Sequence, residues 1–561
     1  MERPETGDPR RTKYPIPYGK HWSPLFGDCM LHLGPRDPGR KGLQGSINPN
    51  ARHKNRMELL RDVLVQSALT QGEKTAVRFF RGGLAETDLS YAKLHRDSSR
   101  LANFFFERGV RKGDRVILYM EKSLIFVVAH LGLQKIGAIS VPLNPGLKKS
   151  EMEYFIQDSD PKLIMAGTAQ EALIREIDTG AYTVLIDTDR PYSELDFFQS
   201  FPDRSPATEL RYEDPGLIIY TSGTTGKPKG AVITQQNRVH DTRNILRTWQ
   251  PSSTDVLCHA LPLFHVHGLC FALHTALMAG ARILMLDRFS PETVLERLTV
   301  SRGEDVCTVF MAVPPMYIRL LDFLGEKRPD FRHLRLITSG SAPLLPQDFE
   351  RIRNVFGMEP VEREGMSETG MNFTNPLRGK RKPGSVGLPL PGLEVRVVDP
   401  ETLQDVAPGE TGELWLKGPG ITPGYWRKPE ETAKALAQGW FRTGDLGRVD
   451  EEGYYYLTDR LKHVIISGGE NISPKEVEGV INGLEDVVES CVVGLPDERW
   501  GEKVAAAVVK RPGSDLDEDR VRAHCRKHLH DWKCPKSVLF TKALPRNTMG
   551  KVLKQEVVKL F

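Results

Sequence analysis

From about residue 57 the chain alternates two patterns of apolar residues. Apolar positions three or four residues apart, first seen at 57–68, predict amphipathic helices. Short continuous apolar runs at 115–120, 162–166 and 281–286 predict buried strands between these helices. Helices that alternate with buried strands are typical of an α/β fold built on a mostly parallel sheet. We therefore predict an α/β class for this part of the chain.

The pattern changes from about residue 389. Short strands separated by Gly and Pro turns are predicted at 394–398, 413–416 and 453–457. This spacing indicates a small β-rich subdomain at the end of the large α/β domain. After a predicted boundary near 459–462, helical patterns at 474–481 and 518–528 enclose further strand patterns.

Three parts are expected in the chain. Residues 1–56 are rich in Pro, Gly, Arg and Lys and lack periodicity, so we expect an irregular N-terminal extension. Residues 57–459 are expected to form the large α/β domain with its β-rich subdomain. Residues 460–561 are expected to form a small, separate α+β domain.

Composition narrows the classes of function. Lys and Arg total 77 against 73 Asp and Glu, and this net charge of +4 over 561 residues argues against a dedicated nucleic-acid binder. The seven cysteines are scattered without a CxxC pair, so neither a disulfide framework nor a zinc site is predicted, and a reducing, cytoplasmic location is expected. Apolar runs are too short for a membrane span and no secretory signal pattern is found, so no integral membrane segment is expected.

The densest candidate chemistry follows the apolar run 217–220. Glycines there expose backbone N–H groups, hydroxyls add donors and lysines add positive charge, which predicts a phosphate-binding loop. A Walker loop is excluded, because two residues rather than four separate Gly223 from Gly226 and because Pro228 follows the lysine. The residues predicted to bind the phosphates are Thr221, Ser222, Gly223, Thr224, Thr225, Gly226, Lys227 and Lys229.

Further motifs follow the loop at 261–268, 365–369, 425–426, 443–445, 460–462, 467–471 and 545–551. Their order and approximate spacing resemble those of the adenylate-forming superfamily, which includes acyl-CoA synthetases, firefly luciferase and the adenylation domains of peptide synthetases. The resemblance implies a two-step reaction in which a carboxylate attacks the α-phosphate of Mg-ATP, and a thiol such as that of coenzyme A then captures the acyl group. It also implies a large domain followed by a mobile C-terminal lid.

This resemblance implies roles for single residues in the nucleotide site. The loop at 221–230 would hold the β- and γ-phosphates. Ser367 and Glu368 would contact the α-phosphate and hold Mg²⁺, with Thr221 as a second metal contact, and such oxygen donors suit this ion. Asp445 would accept the ribose hydroxyls, with Arg460 as its partner.

The resemblance also implies a moving lysine. Lys551 would bridge the carboxylate and α-phosphate oxygens during adenylation, and Lys462 would be the hinge on which the lid turns. Gly468 and Gly469 would let the backbone approach the pantetheine arm closely. His265 would gate the acyl pocket between the two steps.

The identity of the acid is the least determined part. Peptide-synthetase domains carry an Asp directly after the position of Phe264, whereas this chain has His265, so an amino acid is not expected. The paired histidines of 264–269 and the runs at 313–319, 339–341 and 370–376 resemble malonyl- and methylmalonyl-CoA synthetases. That likeness implies that Arg319 and Ser341 bind a second carboxylate, with His267 and Met371 as further substrate contacts.

Several alternatives stay open. Arg319 lies in an amphipathic helical pattern and is equally well interpreted as an exposed helix arginine. The substrate could instead be a medium-chain, long-chain or aromatic acid. Glu364 stands where the family usually has an aromatic residue that stacks on adenine, so a catalytically silent nucleotide-binding relative is a third hypothesis. Homo-oligomer formation is left open.

Overall fold

The computed structural model describes residues 59–221, 227–468, 470–547 and 550–561. The predicted irregular extension at 1–56 lies outside these ranges, as do Gly469 and five of the predicted phosphate-loop residues, Ser222, Gly223, Thr224, Thr225 and Gly226. Within the described ranges, every helix is too short or too polar to traverse a lipid bilayer.

The described strands, in chain order, are β1 (Thr75–Arg81), β2 (Leu84–Ser90), β3 (Arg115–Tyr119), β4 (Ile139–Pro142), β5 (Leu163–Gly167), β6 (Tyr182–Ile186), β7 (Pro215–Thr221), β8 (Lys229–Thr234), β9 (Val256–His259), β10 (Arg282–Leu286), β11 (Val309–Ala312), β12 (Leu336–Ser339), β13 (Val361–Met366), β14 (Gly370–Thr374), β15 (Leu388–Pro389), β16 (Glu394–Val398), β17 (Gly412–Lys417), β18 (Leu436–Ala437), β19 (Trp440–Val449), β20 (Tyr455–Arg460), β21 (Ile465–Ser467), β22 (Glu470–Ile472), β23 (Val487–Asp497), β24 (Gly501–Lys510) and β25 (Ser537–Phe540).

The described α-helices are α1 (Leu60–Thr70), α2 (Tyr91–Glu107), α3 (Leu124–Ile136), α4 (Lys149–Ser159), α5 (Glu171–Arg175), α6 (Gln235–Trp249), α7 (Thr275–Met278), α8 (Pro291–Leu298), α9 (Pro314–Leu324), α10 (Pro346–Phe356), α11 (Pro429–Ala435), α12 (Pro474–Ile481), α13 (Glu518–His528) and α14 (Lys554–Val558). A π-helix, His267–His274, runs directly into α7.

Two large sheets carry most of the core. One has the strand order β15-β14-β13-β12-β11-β9-β10-β1-β2, and the other has the order β6-β5-β3-β4-β7-β8. Their central strands pair in parallel, and strands such as β3 and β5 are buried almost throughout, because both faces of these sheets are covered. Helix α3 is buried along its whole length. The predicted α/β class is confirmed for this large N-terminal part.

Two smaller sheets complete the chain. In the first, β16, β17, β19 and β18 are neighbours and β20 pairs with β19. In the second, β22, β21, β24 and β23 are neighbours and β25 pairs with β24. Helices α12 and α13 pack on this last sheet through Val477, Val521 and the strand residue Val504. The predicted small C-terminal α+β part is therefore also confirmed.

The topology brings distant residues to one edge of the first large sheet. Strands β9, β11, β12 and β13 are parallel neighbours, so their carboxyl ends meet at the same edge. The segment 260–267 follows β9, helix α9 follows β11, Ser341 lies two residues after β12, and the turn 366–370 follows β13. Ligands of open α/β sheets bind at such an edge.

Candidate active site

The described ends of the phosphate loop are held together by a β-pair. Thr221, at the end of β7, is opposite Lys229 at the start of β8. The Lys229 ammonium lies 5.2 Å from the ring centroid of Tyr425, and the exposed Lys227 lies at the same distance from the ring of Tyr154. The two lysines place positive charge beside the described ends of the candidate phosphate loop.

Glu368 gathers hydroxyl groups from two other elements. The buried carboxylate accepts hydrogen bonds from Thr221 Oγ1 and from Tyr425 Oη, each at 3.1 Å to Oε1. Ser367 and Glu368 both line a small cavity that also contacts Val266 and Phe271. The turn after β13 thus lies between Thr221 of the candidate phosphate loop and this cavity, which we call the candidate acyl pocket.

The donor set around Glu368 fits a magnesium ion carried by a nucleotide. Mg²⁺ prefers oxygen ligands, and in ATP sites it is usually held by one or two carboxylates together with the phosphates. Glu368 and Thr221 supply one carboxylate and one hydroxyl at this point. In the part of the chain that is described, no group of three or more His, Cys, Asp or Glu side chains could hold a metal without such a substrate.

Asp445 and Arg460 form an ion pair across neighbouring strands. They are paired residues of β19 and β20, and Arg460 Nε lies 2.7 Å from Asp445 Oδ1. Asp445 is buried, so the arginine fixes the direction of its carboxylate. This geometry leaves a fixed acceptor that could bind paired hydroxyls.

Lys551 lies close to this ion pair. Crowding by protein atoms, followed by the nearby Arg460, lowers the pKa of Lys551 to about 8, while Asp445 acts in the opposite direction. Its loop is packed on the N-terminus of α9, because a Cβ on Gly550 (φ 74°) would lie 2.6 Å from the Pro315 side chain. The structure therefore brings Lys551 together with Asp445 and Arg460, across the two parts of the chain.

Lys462 lies in the short 3₁₀ turn Leu461–His463, between the third and fourth sheets. Burial and the neighbouring Arg460 lower its pKa. Gly468 has a φ of 64°, and a Cβ there would lie 2.9 Å from the Trp500 ring. Glycine is thus required at position 468 by close packing.

The two histidines of the 261–268 motif differ in their contacts. The His267 ring is buried and its Nδ1 lies 3.2 Å from Ser341 Oγ, whereas Nε2 has no partner among the described residues. His265 packs on Phe264, and its Nε2 also lacks a partner in the described part. Burial lowers the pKa of His265 to about 4 and that of His267 well below its usual value, so both rings are neutral.

A hydrogen-bonded pair, Lys122 and His259, packs next to the segment that carries His265 and His267. Lys122 Nζ contacts His259 at both Nδ1 (3.0 Å) and the carbonyl oxygen (2.9 Å). His259 Nε2 lies 2.9 Å from the Gly268 carbonyl oxygen, so His259 ties β9 to the first turn of the π-helix. Single-turn π-helical irregularities are frequent at functional sites.

Arg319 is not brought to His267 and Ser341 by any described contact. Its side chain is exposed on α9, and its guanidinium lies 4.8 Å from the ring centroid of Phe289. Ser341 is exposed and has a φ of 69°. Met371 is buried, and its backbone N–H donates to Asp241 Oδ1 at 2.8 Å. Of the predicted substrate residues, His267 and Ser341 alone form a described pair.

Sequence reasoning missed two charged residues beside this site, Asp241 and Arg363. Both are buried. Asp241 lies after the loop at 221–230 and Arg363 lies before the motif at 365–369, so neither belongs to a motif. Glu364, which stands where the family usually has an aromatic residue, accepts a hydrogen bond from Asn372 Nδ2 at 2.9 Å. Burial, followed by the neighbouring Asp445, raises the pKa of Glu364 to about 7. A single sequence holds no signal that these side chains are buried together.

Comparison with known proteins agrees with this geometry. The family model described as AMP-binding enzyme matches residues 64–426, and the model described as AMP-binding enzyme C-terminal domain matches residues 476–551. A feruloyl-CoA synthase from an Amycolatopsis species is 35% identical over 89% of this chain and 98% of its own length. A mitochondrial malonate–CoA ligase from Bos taurus is 34% identical over 84% of this chain and 86% of its own length. The crystal structure of ATP-bound MatB from Rhodopseudomonas palustris superposes with a TM-score of 0.83 at 36% identity, covering 90% of this chain and 99% of that one.

The chain therefore belongs to the AMP-binding, adenylate-forming enzyme family. Within that family it is an AMP-forming acid–CoA ligase, an acyl-CoA synthetase, as the relatives that it matches along almost their whole length are.

Proposed function

We propose that this ligase activates a short dicarboxylic acid such as malonate or methylmalonate. The acid attacks the α-phosphate of ATP, forming acyl-AMP and pyrophosphate, and coenzyme A then displaces AMP. The observation that carries this choice is a pair of polar side chains at the carboxyl edge of the first large sheet, where Nδ1 of buried His267 lies 3.2 Å from Oγ of the exposed Ser341. Polar side chains next to Val266 of the cavity wall are costly neighbours for an alkyl chain and favourable ones for a second polar group. The malonate–CoA ligase and MatB relatives support the same choice.

An aromatic acid is the second candidate. Phe271 and Val266 line the cavity next to Ser367, and an aromatic ring could stack on the former and pack against the apolar side chain of the latter. The similarity to a feruloyl-CoA synthase is as high as the similarity to the malonate–CoA ligase, so it supports both candidates equally.

The proposed roles of the nucleotide-site residues are those that membership of the family implies, and contacts of Thr221, Glu368, Asp445 and Arg460 support them. Thr221, Lys227 and Lys229 bind the β- and γ-phosphates, together with Ser222, Gly223, Thr224, Thr225 and Gly226 of the same loop. Ser367 would contact the α-phosphate, and Glu368 with Thr221 would hold Mg²⁺, whose positive charge would offset that of the leaving pyrophosphate. Asp445, oriented by Arg460, accepts the ribose hydroxyls.

Lys551 is proposed to place its ammonium between the acid and the α-phosphate, because it already lies beside the Asp445–Arg460 pair. Domain bounds at 57–459 and 460–561 are likewise proposed, with Lys462 as the hinge. Rotation there would withdraw Lys551 after adenylation and bring Gly468 and Gly469 towards the coenzyme A arm. His265, neutral and adjacent to the pocket, is proposed as the gate between the two steps.

A substrate panel tests the proposed acid. We expect AMP formation that requires coenzyme A, with the highest kcat/KM on malonate or methylmalonate among malonate, methylmalonate, succinate, butyrate, octanoate, palmitate and ferulate. A maximum on ferulate would replace the dicarboxylate proposal with the aromatic one. No turnover with any acid, but binding of ATP, would instead support the silent-binder hypothesis.

Glu364 makes the affinity for ATP depend on pH. Below about pH 7 the Glu364 carboxyl is neutral, and above it a second carboxylate stands beside Asp445 and repels the triphosphate. We expect the KM for ATP to rise roughly 3- to 10-fold between about pH 6 and 8.5, and Glu364→Gln to flatten this rise. ATP's own titration affects both proteins alike, so an equal slope in wild type and variant would refute the role of Glu364.

A further inference from the structure

Arg363 is a buried cation without a hydrogen-bond partner. The residue is 3% exposed, and Nε, Nη1 and Nη2 all lack a partner among the described residues. Several other described arginines have one or two such nitrogens, but Arg363 has three. A guanidinium carries five N–H donors, and leaving them unpaired away from water is expensive. Such a group calls for an anion that arrives with a ligand.

The surroundings of Arg363 lead towards the acyl pocket. Its guanidinium carbon lies 5.1 Å from the ring centroid of Phe271, which lines the cavity beside Ser367. Gly340 leaves space for the Arg363 side chain, because a Cβ at position 340 would lie only 2.6 Å from Arg363 Nε. Arg363 also lies close enough to His267 to contribute to the lowered pKa of that ring. His267 and Arg363 face the same ring, because the His267 ring centroid lies 6.3 Å and the Arg363 guanidinium carbon 5.1 Å from the ring centroid of Phe271, and both side chains carry nitrogens without a partner among the described residues.

Two carboxylates lie nearby, and neither is hydrogen-bonded to Arg363. Asp241 accepts from the Met371 backbone, and burial raises its pKa to about 7. Glu364 accepts from Asn372. Both carboxylates act on Arg363 only through their charge, and burial nevertheless lowers the pKa of Arg363 to about 10. The planar fork of donors therefore remains free for a carboxylate from outside.

We propose that Arg363, with His267 and Ser341 beside it, binds the second carboxylate of the acid substrate. This inference rests on the proposed dicarboxylate function and moves the recognition of that group from Arg319 to Arg363. Arg363 lies on β13, four residues before Ser367, so the two backbones are at most about 14 Å apart. This upper bound limits the length of a dicarboxylate that could reach from Ser367 to Arg363.

A matched pair of variants, Arg363→Met and Arg319→Met, tests the assignment. The readouts are kcat/KM for malonate, methylmalonate and butyrate, and the thermal midpoint with and without each acid. Arg363→Met should lower kcat/KM for the dicarboxylates at least about 100-fold and leave butyrate unchanged or improved, because a desolvated cation is lost. Arg319→Met should change all three acids equally and little. Without ligand, Arg363→Met should melt at a higher temperature, since an unpaired buried charge is gone.

The outcomes separate the two proposals. If the wild-type enzyme does not prefer dicarboxylates, the proposed function fails whatever the variants do. If it does prefer them, equal losses for malonate and butyrate in Arg363→Met, or a selective loss in Arg319→Met, overturn the assignment of Arg363. Should Arg363→Met fold poorly, Arg363→Lys keeps the charge but loses the fork, and it should retain stability while losing selectivity for dicarboxylates. Unchanged selectivity in that variant also counts against the assignment.

Discussion

Replacing Lys551 with alanine should abolish adenylation while sparing the second half-reaction. The structure places this ammonium near Asp445 and Arg460, and removal of a charge-stabilising donor of this kind typically costs about 100- to 1000-fold in rate. We expect a loss of at least this size in pyrophosphate release that depends on the acid. Thioester formation from supplied acyl-AMP and coenzyme A should stay within a few-fold of wild type, because in the proposed cycle the C-terminal part has by then rotated and withdrawn Lys551.

The pH dependence of adenylation offers an independent check on Lys551. Its pKa is lowered to about 8, so the ammonium is charged below that value and is lost as the pH rises through it. At ATP concentrations below saturation, adenylation by the wild type should therefore fall above about pH 8. Saturating ATP should restore the charge of the Lys551 ammonium, because bound phosphates favour its protonated form. Lys559→Ala, which removes a lysine paired with Glu556 on the lid surface, is the control and should match wild type. Loss of both half-reactions in Lys551→Ala would contradict the proposed role.

Glu368→Gln should have the next largest effect. The amide can still accept from Thr221 and Tyr425, so the local hydrogen bonds are kept while the charge that would hold Mg²⁺ is removed. We expect the rate of adenylation to fall about 100- to 1000-fold and the Mg²⁺ concentration needed for half-maximal rate to rise. Thermal stability should change little.

The measurement is the initial rate of pyrophosphate release during a Mg²⁺ titration. Glu350→Gln is a matched control, because Glu350 pairs with Arg353 on the surface of α10 and touches no proposed ligand. An unchanged requirement for Mg²⁺ in Glu368→Gln, together with a lower rate, would assign Glu368 to packing of the 366–370 turn and remove it from the metal site.

Local structure was predictable because it depends on neighbours in sequence. The helical patterns at 474–481 and 518–528 coincide with α12 and α13. The predicted strand at 115–120 is one residue longer than β3, and the one at 162–166 is shifted by one residue from β5. The spacing of apolar residues is enough for these predictions, because the apolar face of each helix or strand must be buried in any compact fold. The likeness of the phosphate loop to known motifs likewise required no coordinates.

The contacts of single side chains were not predictable in the same way. Arg319 and Arg363 are both arginines near motifs, yet one is exposed over Phe289 and the other is buried against Phe271 without a partner. The sequence favoured Arg319, because the motif around it was recognised and its helical spacing allowed either interpretation. The order of apolar and polar residues along β13 is the same whether its arginine is buried without a partner or reaches solvent.

By itself, the sequence determined the α/β class, the family and the kind of reaction, because these depend on periodicity and on short motifs that keep their chemistry wherever the chain places them. Only the tertiary structure decided which charges meet. Parallel strands β9, β12 and β13 bring His267, Ser341 and Arg363 to one edge, and docking of the C-terminal part brings Lys551 to Asp445. Burial and distance, which set the pKa values and the cost of an unpaired charge, arise only when segments far apart in sequence pack together.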